Sequence, residues 1–108
     1  MKTIHELLPY ARQLSQKGEL PYKLLEDFLT QCPNSSEEAW VTLVEAVTLC
    51  MQHSNSAFKA GVLVAALDAL RKAMQLLAVK SFAGSKHKLE WKLLKGKVLA
   101  RLAEVYQR

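Results

Sequence analysis

The chain has 108 residues, half of them hydrophobic, with only four glycines and three prolines. This composition excludes an intrinsically disordered chain and supplies too few turn residues for an all-β domain. With a net charge of +5 and a length in the single-domain range, we expect one helical domain over residues 1–108, an all-α bundle of about five helices.

The first helix is predicted by a capping signal and a stop signal. Thr3 and Glu6 fit a T-x-x-E capping box, in which each side chain accepts a hydrogen bond from a free backbone N–H group of the first turn. The helix should run to about Gln16, with Pro9 as a kink or break. Gly18 fits the residue that follows a helix end.

Prolines and a second capping box predict the next two helices. Pro21 suits the first turn of the second helix, because its missing N–H would be unbonded there, and Pro33 ends that helix. Ser35 and Glu38 form a capping box that opens the third helix. The polar run 53–56 is expected to close it and to cap the following helix.

The fourth helix is predicted over about residues 57–82 as the central helix of the bundle, since nearly all its residues are apolar. Its apolar window has the length of a membrane span, but three charged residues in its middle make a bilayer location costly, so we expect no membrane contact. Those residues are Asp68, Arg71 and Lys72. After Gly84, the fifth helix should cover about residues 85–106.

Charge is divided unequally along the chain. Residues 1–55 carry four basic and seven acidic side chains, a net of −3, whereas residues 56–108 carry eleven basic and three acidic ones, a net of +8. Such an asymmetry indicates an anionic partner for the second half, or docking of an acidic first half from another copy.

The fifth helix concentrates this charge between two apolar stripes. At about 100° per residue, one stripe is a core face and the other lies nearly opposite, so the helix is either wedged between two layers of its bundle or meets a partner chain. The core stripe is Trp91, Leu94, Val98, Leu102 and Val105, and the second is Leu89, Leu93, Gly96, Ala100 and Ala103. The basic ridges between them are Lys88, Lys92 and Lys95 on one side and Lys86, Lys97 and Arg101 on the other.

The start of the fifth helix carries a second indication of an anion. Lys86, His87 and Lys88 occupy its first turn, where cations oppose the helix dipole. The small residues 83–85 would let backbone N–H groups approach a ligand, and Lys80 precedes the turn. Together these features predict a phosphate site.

We therefore expect a non-catalytic, cytoplasmic subunit that binds a nucleic-acid phosphate backbone without sequence specificity, within a complex containing other protein subunits. Lysine outnumbers arginine in the second half, which favours backbone contacts over base reading. Small basic helical subunits of RNA-guided, CRISPR-type effectors share this size, class and charge, although no motif here carries a family match. The predicted nucleic-acid-binding residues are Lys80, Lys86, Lys88, Lys92, Lys95, Lys97 and Arg101.

The alternative is a protein-interaction module, an adaptor, chaperone or oligomer subunit, whose basic surface meets an acidic partner. An enzyme is not expected, because the sequence has no nucleotide-binding loop, no serine-nucleophile motif and no zinc-protease motif. Cys50 and His53 form a C-x-x-H step without further ligands at metal spacing, and Cys32 is more typical of a core residue. We expect no metal, no cofactor and no small-molecule substrate.

Overall fold

The computed structural model describes residues 4–33, 36–80, 82 and 84–107, and within them it contains α-helices and no strand. The predicted all-α class with five helices is therefore confirmed. In chain order the helices are α1 (Ile4–Gln16), α2 (Tyr22–Gln31), α3 (Glu37–Lys59), α4 (Leu63–Val79) and α5 (Lys88–Tyr106).

The core lies around α3 and α4. α3 packs against all four other helices, and α4 packs against α2, α3 and α5. Fully buried side chains such as Leu43, Val47, Leu70 and Leu77 fill the space between these two helices and their neighbours. The helix predicted to be central thus shares that position with α3.

The boundary between α3 and α4 differs from the prediction. The polar run 53–56 lies inside α3, where two of its four side chains bond to other helices. The buried Ser54 hydroxyl donates to the backbone carbonyl of Ala66 on α4, at 2.9 Å, and the Asn55 side-chain carbonyl accepts from Arg101 on α5. Polar side chains that hydrogen-bond to neighbouring helices are compatible with the interior of a helix.

α3 ends instead just before Gly61, a residue that was predicted to lie inside the fourth helix. Gly61 has φ +80, a left-handed conformation that glycine adopts without steric cost. The N–H of Val62 donates to the carbonyl of Ala57 at 2.9 Å, and the N–H of Gly61 donates to Phe58 at 3.0 Å. This is the hydrogen-bond pair of a Schellman motif, so α4 begins only at Leu63.

The other helix ends agree with the sequence to within a few residues. α1 passes through Pro9 and stops before Gly18, whose φ is +87. Ser36 caps α3 by accepting the N–H of Ala39 at 3.1 Å. Thr3 and Ser35 lie outside the described residues.

The connection from α4 to α5 is longer than predicted, since α4 ends at Val79 and α5 begins at Lys88. It is anchored by Phe82, which is fully buried. The Phe82 ring meets Trp40 of α3 edge to face, with ring centroids 5.2 Å apart.

No helix in the described part of the chain is both long enough and apolar enough to cross a membrane.

Candidate functional surface on the last helix

The inner face of α5 is the predicted core stripe. Val98 and Val105 are buried against the rest of the bundle, and Trp91, Leu94 and Leu102 pack against the core while remaining partly exposed. This face holds α5 onto α4 and α3, so the opposite side of the helix is left on the surface of the molecule.

The second apolar stripe lies on that outer side and faces solvent. Leu89 and Leu93 are 70% and 59% exposed, which is high for leucine side chains, and the three small residues that follow are exposed as well. α5 is therefore not wedged between two layers of its own bundle. We call this surface the outer strip, formed by Leu89, Leu93, Gly96, Ala100 and Ala103.

One basic ridge borders the outer strip and keeps its charge free. Lys88 and Lys92 are exposed, and Lys95 is half-buried with its Nζ 4.9 Å from the centroid of the Trp91 ring. Within the described residues, no carboxylate lies within the 4.0 Å of an ion pair to any of the three. We call Lys88, Lys92 and Lys95 the lysine ridge.

The ridge on the other side is largely neutralised. The ammonium group of Lys86 lies 2.9 Å from a carboxylate oxygen of Glu37 at the start of α3. Arg101 is 2.6 Å from Glu104 on its own helix. Only Lys97 on this side is exposed without a carboxylate partner among the residues that the structure describes.

Lys86 and His87 were predicted in the first turn of α5 but lie just before it, and they hold less free positive charge than the sequence predicts. His87 stacks on Trp40 with ring centroids 4.6 Å apart, and its two ring nitrogens lie 2.9 Å from Glu37 and 3.1 Å from Glu90. Hydrogen bonds to these two carboxylates raise the pKa of His87. Lys86 and His87 together lower the pKa of Glu37.

Both histidine contacts require the imidazolium form. A carboxylate only accepts hydrogen bonds, and a neutral imidazole has only one N–H to donate. Two backbone N–H groups here are also in use: that of His87 donates to the Ser85 hydroxyl at 3.0 Å, and that of Lys88 donates to the Ser85 carbonyl at 3.2 Å. These contacts weigh against the phosphate site predicted at the start of α5.

Lys80 lies apart from the lysine ridge, immediately after α4, in a half-buried position. Its charge acts on Cys32: burial raises the pKa of that thiol, and Lys80 opposes the increase. Of the seven residues predicted to bind nucleic acid, three therefore form one line on α5, in which Lys88 and Lys92 are exposed and Lys95 is half-buried. Lys97 lies on the far side of the outer strip, and Lys86, Arg101 and Lys80 have other surroundings.

Cys50 and His53, the other reactive side chains that the sequence singled out, have different surroundings. Cys50 is a buried free thiol whose pKa is raised by burial to about 12, so it is protonated near neutral pH. His53 lines an open polar groove with Arg12 and Glu45, which form an ion pair at 2.5 Å. In the described ranges, no group of three or more His, Cys, Asp and Glu side chains is placed to hold a metal ion.

No protein-family model, curated protein or solved structure matches this chain. The function therefore has to be inferred from the chemistry of the α5 surface: a line of unpaired lysines beside a solvent-exposed apolar strip.

Proposed function

We propose that the protein is a non-catalytic subunit that binds the phosphate backbone of a nucleic acid without sequence specificity. The observation that supports this function is the lysine ridge: three ammonium groups on one line of one helix, unpaired by any carboxylate among the described residues. Mutual repulsion of such charges is relieved by a polyanion.

The spacing of the ridge suits a chain of phosphates. Lys88, Lys92 and Lys95 are separated by one turn of helix each, so the first and last lie about 10 Å apart along the axis. Lysine is a compact point charge rather than a bidentate fork. Contacts of this kind fix a strand in place without reading its bases.

The other predicted residues have lesser roles in this proposal. Lys86 is 75% exposed in its pair with Glu37, and such an exposed ion pair contributes little to stability, so Lys86 can turn to a bound phosphate. Arg101 is held by Glu104 and Asn55 and serves chiefly to join α5 to α3. The complex that we propose for it is of the RNA-guided effector type, whose small basic helical subunits share its size, class and charge.

The test is binding of labelled single- and double-stranded DNA and RNA, measured by fluorescence anisotropy at 50 and 200 mM salt. Three lysines on a duplex should give a slope of about −2.7 for log K against log salt, or roughly a 40-fold loss of affinity between the two conditions. For a single strand, the corresponding slope is about −2. Binding that does not respond to salt would contradict the proposal.

A charge-matched pair of variants locates the site. Lys88→Glu/Lys92→Glu should remove most of the binding, and neither side chain has a bonding partner in the described structure whose loss would disturb folding. Lys17→Glu/Lys59→Glu makes the same change in net charge at two exposed positions away from α5, one in the turn after α1 and one at the end of α3, and should retain most of the binding. Equal losses in the two variants would show only a general effect of net charge.

A further inference from the structure

The outer strip of α5 is an apolar surface that nothing in the described chain covers. We propose that it is the docking site for an amphipathic helix of a partner protein, one that carries acidic residues on both sides of its own apolar stripe. This inference goes beyond nucleic-acid binding, because its main contacts are the leucines and small residues between the basic ridges; it shares only the bordering lysines Lys92 and Lys97 with the nucleic-acid proposal.

The spacing of the outer strip matches the packing surface of a helix. Its members follow one another at steps of four, three, four and three residues, which is the spacing of the a and d positions in a heptad repeat. From Leu89 to Ala103 the strip is about 21 Å long, four turns of helix. A surface of this period stays in line with a second helix that crosses at a small angle.

The two halves of the strip would contribute differently to such a contact. Leu89 and Leu93 project large apolar side chains that can insert between residues of a partner helix. Gly96, Ala100 and Ala103 leave the backbone open; even a Cβ added at Gly96 would meet nothing within 4 Å. A partner helix can therefore approach closely at this end, near the lower limit of about 8 Å between helix axes.

Charge at the borders of the strip selects an acidic partner. Lys92 and Lys97 flank it on opposite sides, are exposed, and have no carboxylate partner in the described ranges. The two acids of α5 are already engaged, Glu90 with His87 at 3.1 Å and Glu104 with Arg101 at 2.6 Å. Residues beside an a/d seam decide which partner a helix accepts, so acidic side chains are required opposite these lysines.

The same charges disfavour two other occupants. A second copy docked strip to strip would bring its own lysines against these lysines, and like charges across an interface are destabilising. A membrane surface would meet only a narrow apolar band whose far half is Gly and Ala, whereas an interfacial helix presents one broad apolar face. An acidic helix satisfies both the apolar spacing and the charge.

The test uses two designed peptides with the full 108-residue chain. Both have three heptads with leucine at a and d; one has glutamate at e and g, and the control has lysine there. The glutamate peptide should bind at least about tenfold more tightly than the lysine peptide, by fluorescence anisotropy, because only it complements Lys92 and Lys97. Equal affinity for the two peptides would overturn the proposal.

Variants of the strip identify the contact. Leu93→Ser and Leu89→Ser, made separately, should each weaken binding of the glutamate peptide by at least about tenfold. Helicity measured by circular dichroism should not change, because both side chains are already exposed. The matched control is Val64→Ser on α4, which also removes an exposed apolar side chain, 81% exposed, and should leave binding intact. Unchanged peptide binding in both leucine variants would refute the assignment.

The same variants test whether a second copy of the chain or a membrane occupies the outer strip. If the chain forms a dimer in sedimentation equilibrium that Leu93→Ser dissociates, the strip belongs to a second copy and the proposal is overturned. If it binds vesicles of phosphatidylserine and phosphatidylcholine and Leu93→Ser abolishes that binding, the strip belongs to a membrane, with the same conclusion. Failure of nucleic-acid binding would leave this test unaffected, since peptide affinity and the leucine variants are its readouts.

Discussion

Replacing Phe82 by alanine tests how the connection between α4 and α5 is held. Phe82 lies outside any helix, yet it is fully buried and packs edge to face on Trp40, with an interplanar angle of 67°. It is the buried apolar side chain that joins this connection to α3, where Lys86 and His87 also contact Glu37. Its truncation should therefore weaken the attachment of α5 as well as the core.

The expected loss follows from the burial and the ring contact. Burying a phenylalanine side chain is worth about 1.5–3 kcal/mol, the aromatic pair adds about 0.5–1.5 kcal/mol, and a cavity remains where the ring was. Phe82→Ala should accordingly cost about 3–5 kcal/mol, the range measured for such substitutions. A domain of this length has a total stability of only about 5–15 kcal/mol.

Urea unfolding followed by far-ultraviolet circular dichroism measures this loss. With a denaturant slope of about 2 kcal/mol per M, the midpoint should fall by roughly 2 M. The control is Leu89→Ala, which truncates a similar side chain that is 70% exposed and should change stability by no more than about 0.5 kcal/mol. A cost below about 1 kcal/mol for Phe82→Ala, or one equal to that of the control, would refute the anchoring role.

Two further predictions concern glycine and histidine positions. Gly61→Ala should destabilise the protein by about 1–2 kcal/mol because φ there is +80. Gly96→Ala, with open space around the added Cβ, should instead stabilise α5 by about 0.5–1 kcal/mol. Urea unfolding should therefore show changes of opposite sign in the free energy of unfolding of the two variants. Because Glu37 and Glu90 raise the pKa of His87 above its ordinary 6.5, the stabilisation that they supply is complete below pH 6.5 and is lost as the pH rises through the raised pKa. An NMR titration of His87 should show the pKa fall in Glu37→Gln, and an unchanged value would contradict the role of Glu37.

Local sequence signals predicted the helices but not where all of them end. Apolar spacing and the stop signal at Gly18 needed no knowledge of the tertiary structure. The break between α3 and α4 could not be placed without the tertiary structure, because the side chains of Ser54 and Asn55 hydrogen-bond to residues of other helices. Viewed locally, the polar run resembled a helix end, and Gly61 resembled an ordinary member of an apolar helix.

The candidate surface was predictable in pattern but not in accessibility. The wheel of α5 gave both basic ridges, both stripes and the core stripe among them, yet only the packing of the bundle showed that the second stripe faces solvent instead of another layer of the bundle. The pairing of Lys86 and His87 with Glu37 joins positions about fifty residues apart in the chain. No local spacing signals such a contact, and for that reason the sequence overestimated the free charge at the start of α5.

The helix that carries both proposed binding surfaces contributes little to the core. α5 has two buried side chains, whereas α3 has nine, so α5 should undergo local opening at a lower free energy than the helices it rests on. Its amide protons should then exchange with deuterium sooner than those of α3. A ligand that binds α5 more tightly when the helix is packed on the bundle than when it is detached would slow that exchange. Such a ligand would also stabilise the whole bundle, by an amount set by the difference between the two affinities.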